Sequence, residues 1–127
     1  MTEDADSILI VEDNQVNAMI LRAMLRKHGW DPYVASDGAQ GVEMNARHRP
    51  RLILMDLQMP RLDGFAAARE IRSAGAVPAP VIVAVTANVG REVRAACEAA
   101  GFAEVLSKPV EMSQMIDLVR RCLARPR

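Results

Sequence analysis

The 127 residues amount to one domain at ~150 residues per domain, and a chain of that size can bury a sufficient core without disulfides or a structural metal. A composition that is 50% apolar and 25% charged excludes a disordered or collagen-like chain. Basic and acidic residues cancel at 16 each, and the aromatics are only Trp30, Tyr33, Phe65 and Phe102, which argues against nucleic-acid or membrane-surface binding.

The acidic start Met1-Thr2-Glu3-Asp4-Ala5-Asp6 has no apolar stretch behind a basic end, so no secretory signal is expected. Residues 1–6 read as a flexible lead and about 7–123 as the core of a single domain. The first strand is Ile8-Leu9-Ile10-Val11. A helix follows, with Val16, Met19, Ile20, Ala23 and Met24 predicted as its buried face and Gly29 as its stop. Tyr33-Val34-Ala35 is a weak strand, suited to a sheet edge, and Asp37-Gly38 turns into a helix over Ala39 to Arg47. The third strand is Leu52-Ile53-Leu54-Met55, and a short helix fits Asp63 to Ser73. Val77-Pro78-Ala79-Pro80 is a loop before the fourth strand, Val81-Ile82-Val83-Ala84-Val85. Val89, Val93, Ala96, Cys97 and Ala100 predict a helix stopping at Gly101. Ala103-Glu104-Val105-Leu106 is a second edge candidate, and Met112, Met115, Ile116, Val119 and Leu123 mark the last helix. Cys97 and Cys122 have no CxxC or His at ligand spacing and read as reduced core residues of a cytoplasmic protein.

Consecutive apolar residues without period-2 alternation describe strands covered on both faces. Strands alternating with helices predict an α/β fold: a five-stranded parallel sheet, doubly wound, in the flavodoxin-like order 2-1-3-4-5. In such sheets ligands bind beyond the carboxyl ends of the strands. Glu12 and Asp13 follow the first strand, Asp56 ends the third, Thr86 the fourth, and Ser107-Lys108-Pro109 follows the fifth. Three carboxylates on one rim either raise one another's pKa values or hold a cation among them, and hard oxygen donors without His or Cys favour Mg²⁺. Lys108 and Thr86 suit phosphoryl oxygens, and Asp56 suits a covalent nucleophile.

These residues lie in the motifs Ile8-Leu9-Ile10-Val11-Glu12-Asp13-Asn14, Leu54-Met55-Asp56-Leu57-Gln58-Met59-Pro60 with Asp63-Gly64, Val85-Thr86-Ala87 and Ser107-Lys108-Pro109. From about Ser7 to Leu123 the chain resembles a response-regulator receiver domain of two-component phosphorelays. The resemblance implies that Asp56 accepts a phosphoryl group from a histidine of a sensor kinase or histidine phosphotransfer protein. It implies that Asp13 and Asp56 bind Mg²⁺ directly, that Glu12 holds it through water, and that the Gln58 carbonyl completes the protein ligands. Lys108 and Thr86 would contact phosphoryl oxygens, Ala87 would leave room and offer its N–H, and the Lys108–Pro109 bond would be cis. Such a domain catalyses its own phosphorylation and dephosphorylation without being a conventional enzyme.

One position departs from the family. Where many members carry Tyr, Phe or His three residues before the lysine, this chain has Val105, so a coupled Thr86–aromatic switch cannot work in its usual form. Gln58 and Asn88, by their spacing from Asp56 and Thr86, are expected to flank the phosphoryl group and tune access of water. The expected partners exclude nucleic acid and membrane insertion, and a monomer is expected, with phosphorylation-dependent dimers left open. Three other readings compete. A haloacid-dehalogenase-type phosphatase would need a second Asp where Gln58 stands. A flavodoxin-like nucleotide or flavin module would need glycines in the first βα turn, which reads Glu12-Asp13-Asn14-Gln15. A degenerate receiver would serve only as a binding scaffold.

Overall fold

The computed structural model describes residues 7–59, 62–75 and 79–124. The acidic residues 1–6, Pro60 of the third-strand motif, Val77-Pro78 of the Pro-rich loop and the basic end 125–127 lie outside the described residues. Ten elements alternate in chain order: β1 (Ile8–Val11), α1 (Gln15–Lys27), β2 (Tyr33–Ala35), α2 (Gly38–His48), β3 (Leu52–Asp56), α3 (Gly64–Ser73), β4 (Val81–Thr86), α4 (Arg91–Ala100), β5 (Glu104–Ser107) and α5 (Met112–Ala124). All strand pairs are parallel and the order is β2-β1-β3-β4-β5. The weakly apolar β2 and β5 take the edges, as their composition predicted.

The absence of alternation in β1, β3 and β4 has a direct cause. Leu9, Val11, Ile53, Met55, Ile82 and Ala84 point into one apolar layer with Ala67, Ile71, Cys97 and Phe102 of α3, α4 and the turn before β5. Ile8, Ile10, Leu52, Leu54, Val83 and Val85 point the other way, into a layer with Leu21 and Leu25 of α1 and Met115 and Val119 of α5. Both faces are dry, so both residue parities must be apolar. Cys97 and Cys122 are buried in opposite layers and neither forms a disulfide. Burial pushes the Cys97 thiol above its ordinary pKa, although the Arg94 charge pulls the other way.

The starts of α1, α2 and α3 are set by side-chain caps. Asn14 accepts from the Asn17 N–H at 2.9 Å, Asp37 from Gln40 at 2.7 Å and Asp63 from Ala66 at 2.9 Å. Gly29 and Gly101 stand in the left-handed region just past α1 and at the C-cap of α4, where a Cβ would be strained.

Two predicted faces need correction. In α1 the buried residues are Ala18, Leu21 and Leu25, while Val16, Met19 and Ile20 are 64%, 68% and 48% exposed and Ala23 also faces outward. The helix carries two apolar stripes of similar spacing, and docking against the sheet buries the one that holds Leu21 and Leu25. In α4 only Cys97 and Ala100 are fully buried; Val93 is half-buried, Ala96 is exposed, and Val89 precedes the helix. A helix over the edge strand β5 has less apolar surface to cover than a central one. His48, one residue beyond the predicted helix end at Arg47, is the last residue of α2 and stacks on Tyr33 with ring centroids 3.9 Å apart. Among the described residues no helix is long and apolar enough to cross a membrane.

Candidate functional site

Parallel strands in this order put the carboxyl ends of β1, β3, β4 and β5 on one rim. Asp56 is the last residue of β3, Thr86 the last of β4, and Glu12 and Asp13 follow β1 directly. Lys108 follows β5 and is tied back to β4 by its N–H, which donates to the Thr86 carbonyl at 2.9 Å. The Lys108–Pro109 bond is cis.

The predicted residues come together. Glu12, Asp13 and Asp56 each bring a carboxylate oxygen within 4.8 Å of the others. The Lys108 ammonium lies 3.2 Å from Glu12 Oε1 and 3.3 Å from Asp56 Oδ1. Glu12, Asp56 and Thr86 are 3%, 4% and 3% exposed, whereas Asp13 is open to solvent. The Asn14 N–H donates to Glu12 Oε2 at 3.2 Å, and the Gln58 N–H donates to Asp56 Oδ1 at 3.2 Å. Thr86 Oγ1 accepts the Asn88 N–H at 3.1 Å, which leaves its own hydrogen to be donated.

Burial, followed by the neighbouring Asp56 carboxyl, pushes Glu12 up to about 7. Burial works against the Lys108 ammonium, but Asp56 and Glu12 outweigh it and hold that group above the ordinary lysine range. The balance of charge is the decisive feature: three acidic groups face one ammonium. Glu12 Oε1 is fully buried and has no well-aligned hydrogen bond, so its polar contact is the ionic one with Lys108. An all-oxygen donor set with excess negative charge and one open side fits a hard divalent cation of the Mg²⁺ kind.

The remaining positions are placed as follows. Gln58 and Ala87 are exposed at the rim. Asn88 is exposed too, but its side-chain oxygen accepts the Gly90 N–H at 3.0 Å and is turned toward the start of α4. Half-buried Val105 lies on β5 between two open grooves of about 530 and 380 Å³, each also lined by Arg94 and Glu104. Asn14 holds Glu12 as well as capping α1, a second role that its cap signature did not announce.

A family model described as the response regulator receiver domain matches residues 8–120. The chain belongs to that family. The receiver domain of the sensor histidine kinase PA1611 from Pseudomonas aeruginosa, described with a magnesium ion in its active-site cleft, is 38% identical with a TM-score of 0.86 over 94% of this chain and 98% of that one. A chain of the Saccharomyces cerevisiae complex between the phosphotransfer protein Ypd1 and the receiver domain of Ssk1 is 32% identical, with a TM-score of 0.84 over 89% of this chain and 85% of its own. Hybrid signal transduction histidine kinase B of Dictyostelium discoideum is 36% identical over 96% of this chain and 7% of its own length. The chain spans between 7% and 62% of the length of such curated relatives, hybrid kinase and transcriptional regulator alike. Receiver domains are phosphorelay signalling domains rather than conventional enzymes, and they pair with histidine kinases or phosphotransfer proteins.

Proposed function

We propose that Asp56 is the phosphoacceptor of this receiver and takes its phosphoryl group from a phosphohistidine on a partner kinase or phosphotransfer protein. The observation that carries the reading is the Lys108 ammonium poised between Glu12 and Asp56 beside a three-carboxylate cluster. The Asp56 carboxylate attacks phosphorus, the P–N bond breaks with its electron pair returning to the imidazole, and a P–O bond forms. The Gln58 N–H and the Lys108 ammonium both contact Oδ1, which favours Oδ2 as the attacking atom.

Lys108 follows the charge. Its ammonium already stands at the carboxylate and turns to an oxygen of the incoming group, offsetting negative charge where the reaction gathers it. Thr86 donates its hydroxyl hydrogen to a second oxygen, and the small side chain of Ala87 leaves room for the group. Glu12, Asp13 and Asp56, with the Gln58 carbonyl, would hold Mg²⁺. When bound, the ion offsets the charge of the carboxylates and the phosphoryl oxygens. Gln58, exposed beside Asp56, controls how water reaches the acyl phosphate, and the domain loses its phosphoryl group by hydrolysis or passes it onward.

Val105 favours signalling by loop and helix shifts, or onward transfer, over a rotating aromatic. We place the domain in the cytoplasm as a monomer in its unphosphorylated state. Incubation with Mg²⁺ and acetyl phosphate should add one phosphoryl mass to the protein, and Asp56→Asn should carry none. Labelling that persists in Asp56→Asn overturns the assignment. Steady turnover of a phosphate ester would instead favour the dehalogenase-type reading.

A further inference from the structure

The segment after Asp56 is closed at its far end by α3. Gly64, the first residue of α3, donates its N–H to the Leu57 carbonyl at 3.2 Å. A Cβ at that position would overlap the Asp56 carbonyl oxygen and stand 2.8 Å from Leu57 Cα. Gly38, the first residue of α2, abuts the chain two residues before Gly64: a Cβ there would overlap the Leu62 carbonyl oxygen and lie 3.0 Å from its carbon. All of these obstacles are backbone atoms, which cannot swing aside.

Backbone conformation does not demand either glycine. The glycines with positive φ among the described residues are Gly29, Gly75 and Gly101. At Gly38 and Gly64 alanine is the better helix former, so the missing side chain serves close approach alone. Each glycine follows the aspartate that caps its helix, Asp37 or Asp63. Between the two helix starts, Leu57 and Met59 are buried, while exposed Gln58 directs its N–H at Asp56 Oδ1.

We infer that Gly38 and Gly64 are positioning residues for the phosphoacceptor, an inference that rests on Asp56 being that group. Their bare α-carbons let two helix N-termini press on the main chain that carries Asp56, Leu57 and Leu62. That pressure fixes where the Asp56 carboxylate and the Gln58 backbone stand relative to Glu12 and Lys108. Neither glycine touches a reacting atom.

The test compares Gly38→Ala and Gly64→Ala with Leu25→Ala, which empties part of the core beneath the far end of α1 and leaves the rim alone. Three quantities are read: Mg²⁺ affinity by calorimetry with the metal alone, the rate of labelling by acetyl phosphate, and amide hydrogen exchange in peptides spanning 56–64. Either glycine variant should remain folded by circular dichroism, yet weaken Mg²⁺ binding and slow labelling by about tenfold or more, with faster exchange in 56–64. Leu25→Ala should match the wild type within about twofold in all three, despite its lower melting temperature. Glycine variants with wild-type affinity, rate and exchange overturn the inference. So does collapse of both into unfolded chains, because a positioning role requires the fold to survive. If the wild type itself neither binds Mg²⁺ nor labels, the reading of Asp56 fails, and exchange in 56–64 alone then decides whether the two glycines hold the segment.

Discussion

At the scale of single residues, the site is a contest for a few buried anions. Lys108 pairs with two of the carboxylates that would hold a divalent cation, 3.2 Å from Glu12 and 3.3 Å from Asp56. Lys108→Ala should therefore bind Mg²⁺ more tightly while labelling ~10²-fold more slowly, because it removes a competing cation and a transition-state contact together. Calorimetry and acetyl phosphate labelling check both halves; weaker Mg²⁺ binding would show that the lysine organises the carboxylates instead. Glu12 adds a pH dependence. Its folded pKa, pushed from 4.5 to about 7 first by burial and then by Asp56, means that the folded protein keeps a proton the unfolded chain has released. Metal-free stability is then complete below about 4.5 and falls by on the order of 3 kcal/mol as the pH rises through 7. Urea unfolding in chelator between pH 4.5 and 8 should show that decline, and Glu12→Gln should flatten it.

At the scale of elements, helix rotation was the feature least legible in the sequence. The spacing of Val16, Met19 and Ile20 satisfies a helical period as well as that of Ala18, Leu21 and Leu25, and only docking decides between them. The outcome is measurable. Met19→Glu should change stability by no more than ~0.5 kcal/mol, whereas Leu21→Ala should cost ~2–5 kcal/mol in chemical denaturation. The reverse ranking would mean that α1 packs through its other stripe. The strands were far easier to read, because apolar residues at consecutive positions have one physical explanation here, burial on both faces. The Asp-Gly pair at 37–38 was legible as a turn, and that at 63–64 as part of a motif at a helix start. That the glycines also abut backbone could not be read from them, since close approach depends on Leu57 and Leu62, distant in sequence from Gly38.

At the scale of the whole molecule, the sheet order brings four strand ends to one rim, and that convergence made the site readable. Glu12, Asp13, Asp56, Thr86 and Lys108 are scattered over nearly a hundred positions, yet strand-end placement in a parallel sheet leaves them one edge to share. Backbone contacts such as Gln58 N–H to Asp56, and the diversion of Asn88 toward Gly90, depend on loop geometry that composition does not encode. Binding to the folded state alone couples the rim to global stability: Mg²⁺ at 100 times its dissociation constant should add ~2.7 kcal/mol. The rise in melting temperature at a fixed Mg²⁺ concentration should be larger at pH 8 than at pH 5.5, because Glu12 must lose its proton to face the ion. An equal rise at both pH values would remove Glu12 from the metal's surroundings.

An acyl phosphate on Asp56 would have a reactivity that marks the modified residue itself. After transfer from a phosphorylated histidine phosphotransfer protein in Mg²⁺, borohydride reduction should convert the modified aspartate to homoserine, and peptide sequencing by mass spectrometry should find it at position 56 alone. Homoserine at position 13, or retained phosphate on His28 or His48 with position 56 unmodified, would contradict the account.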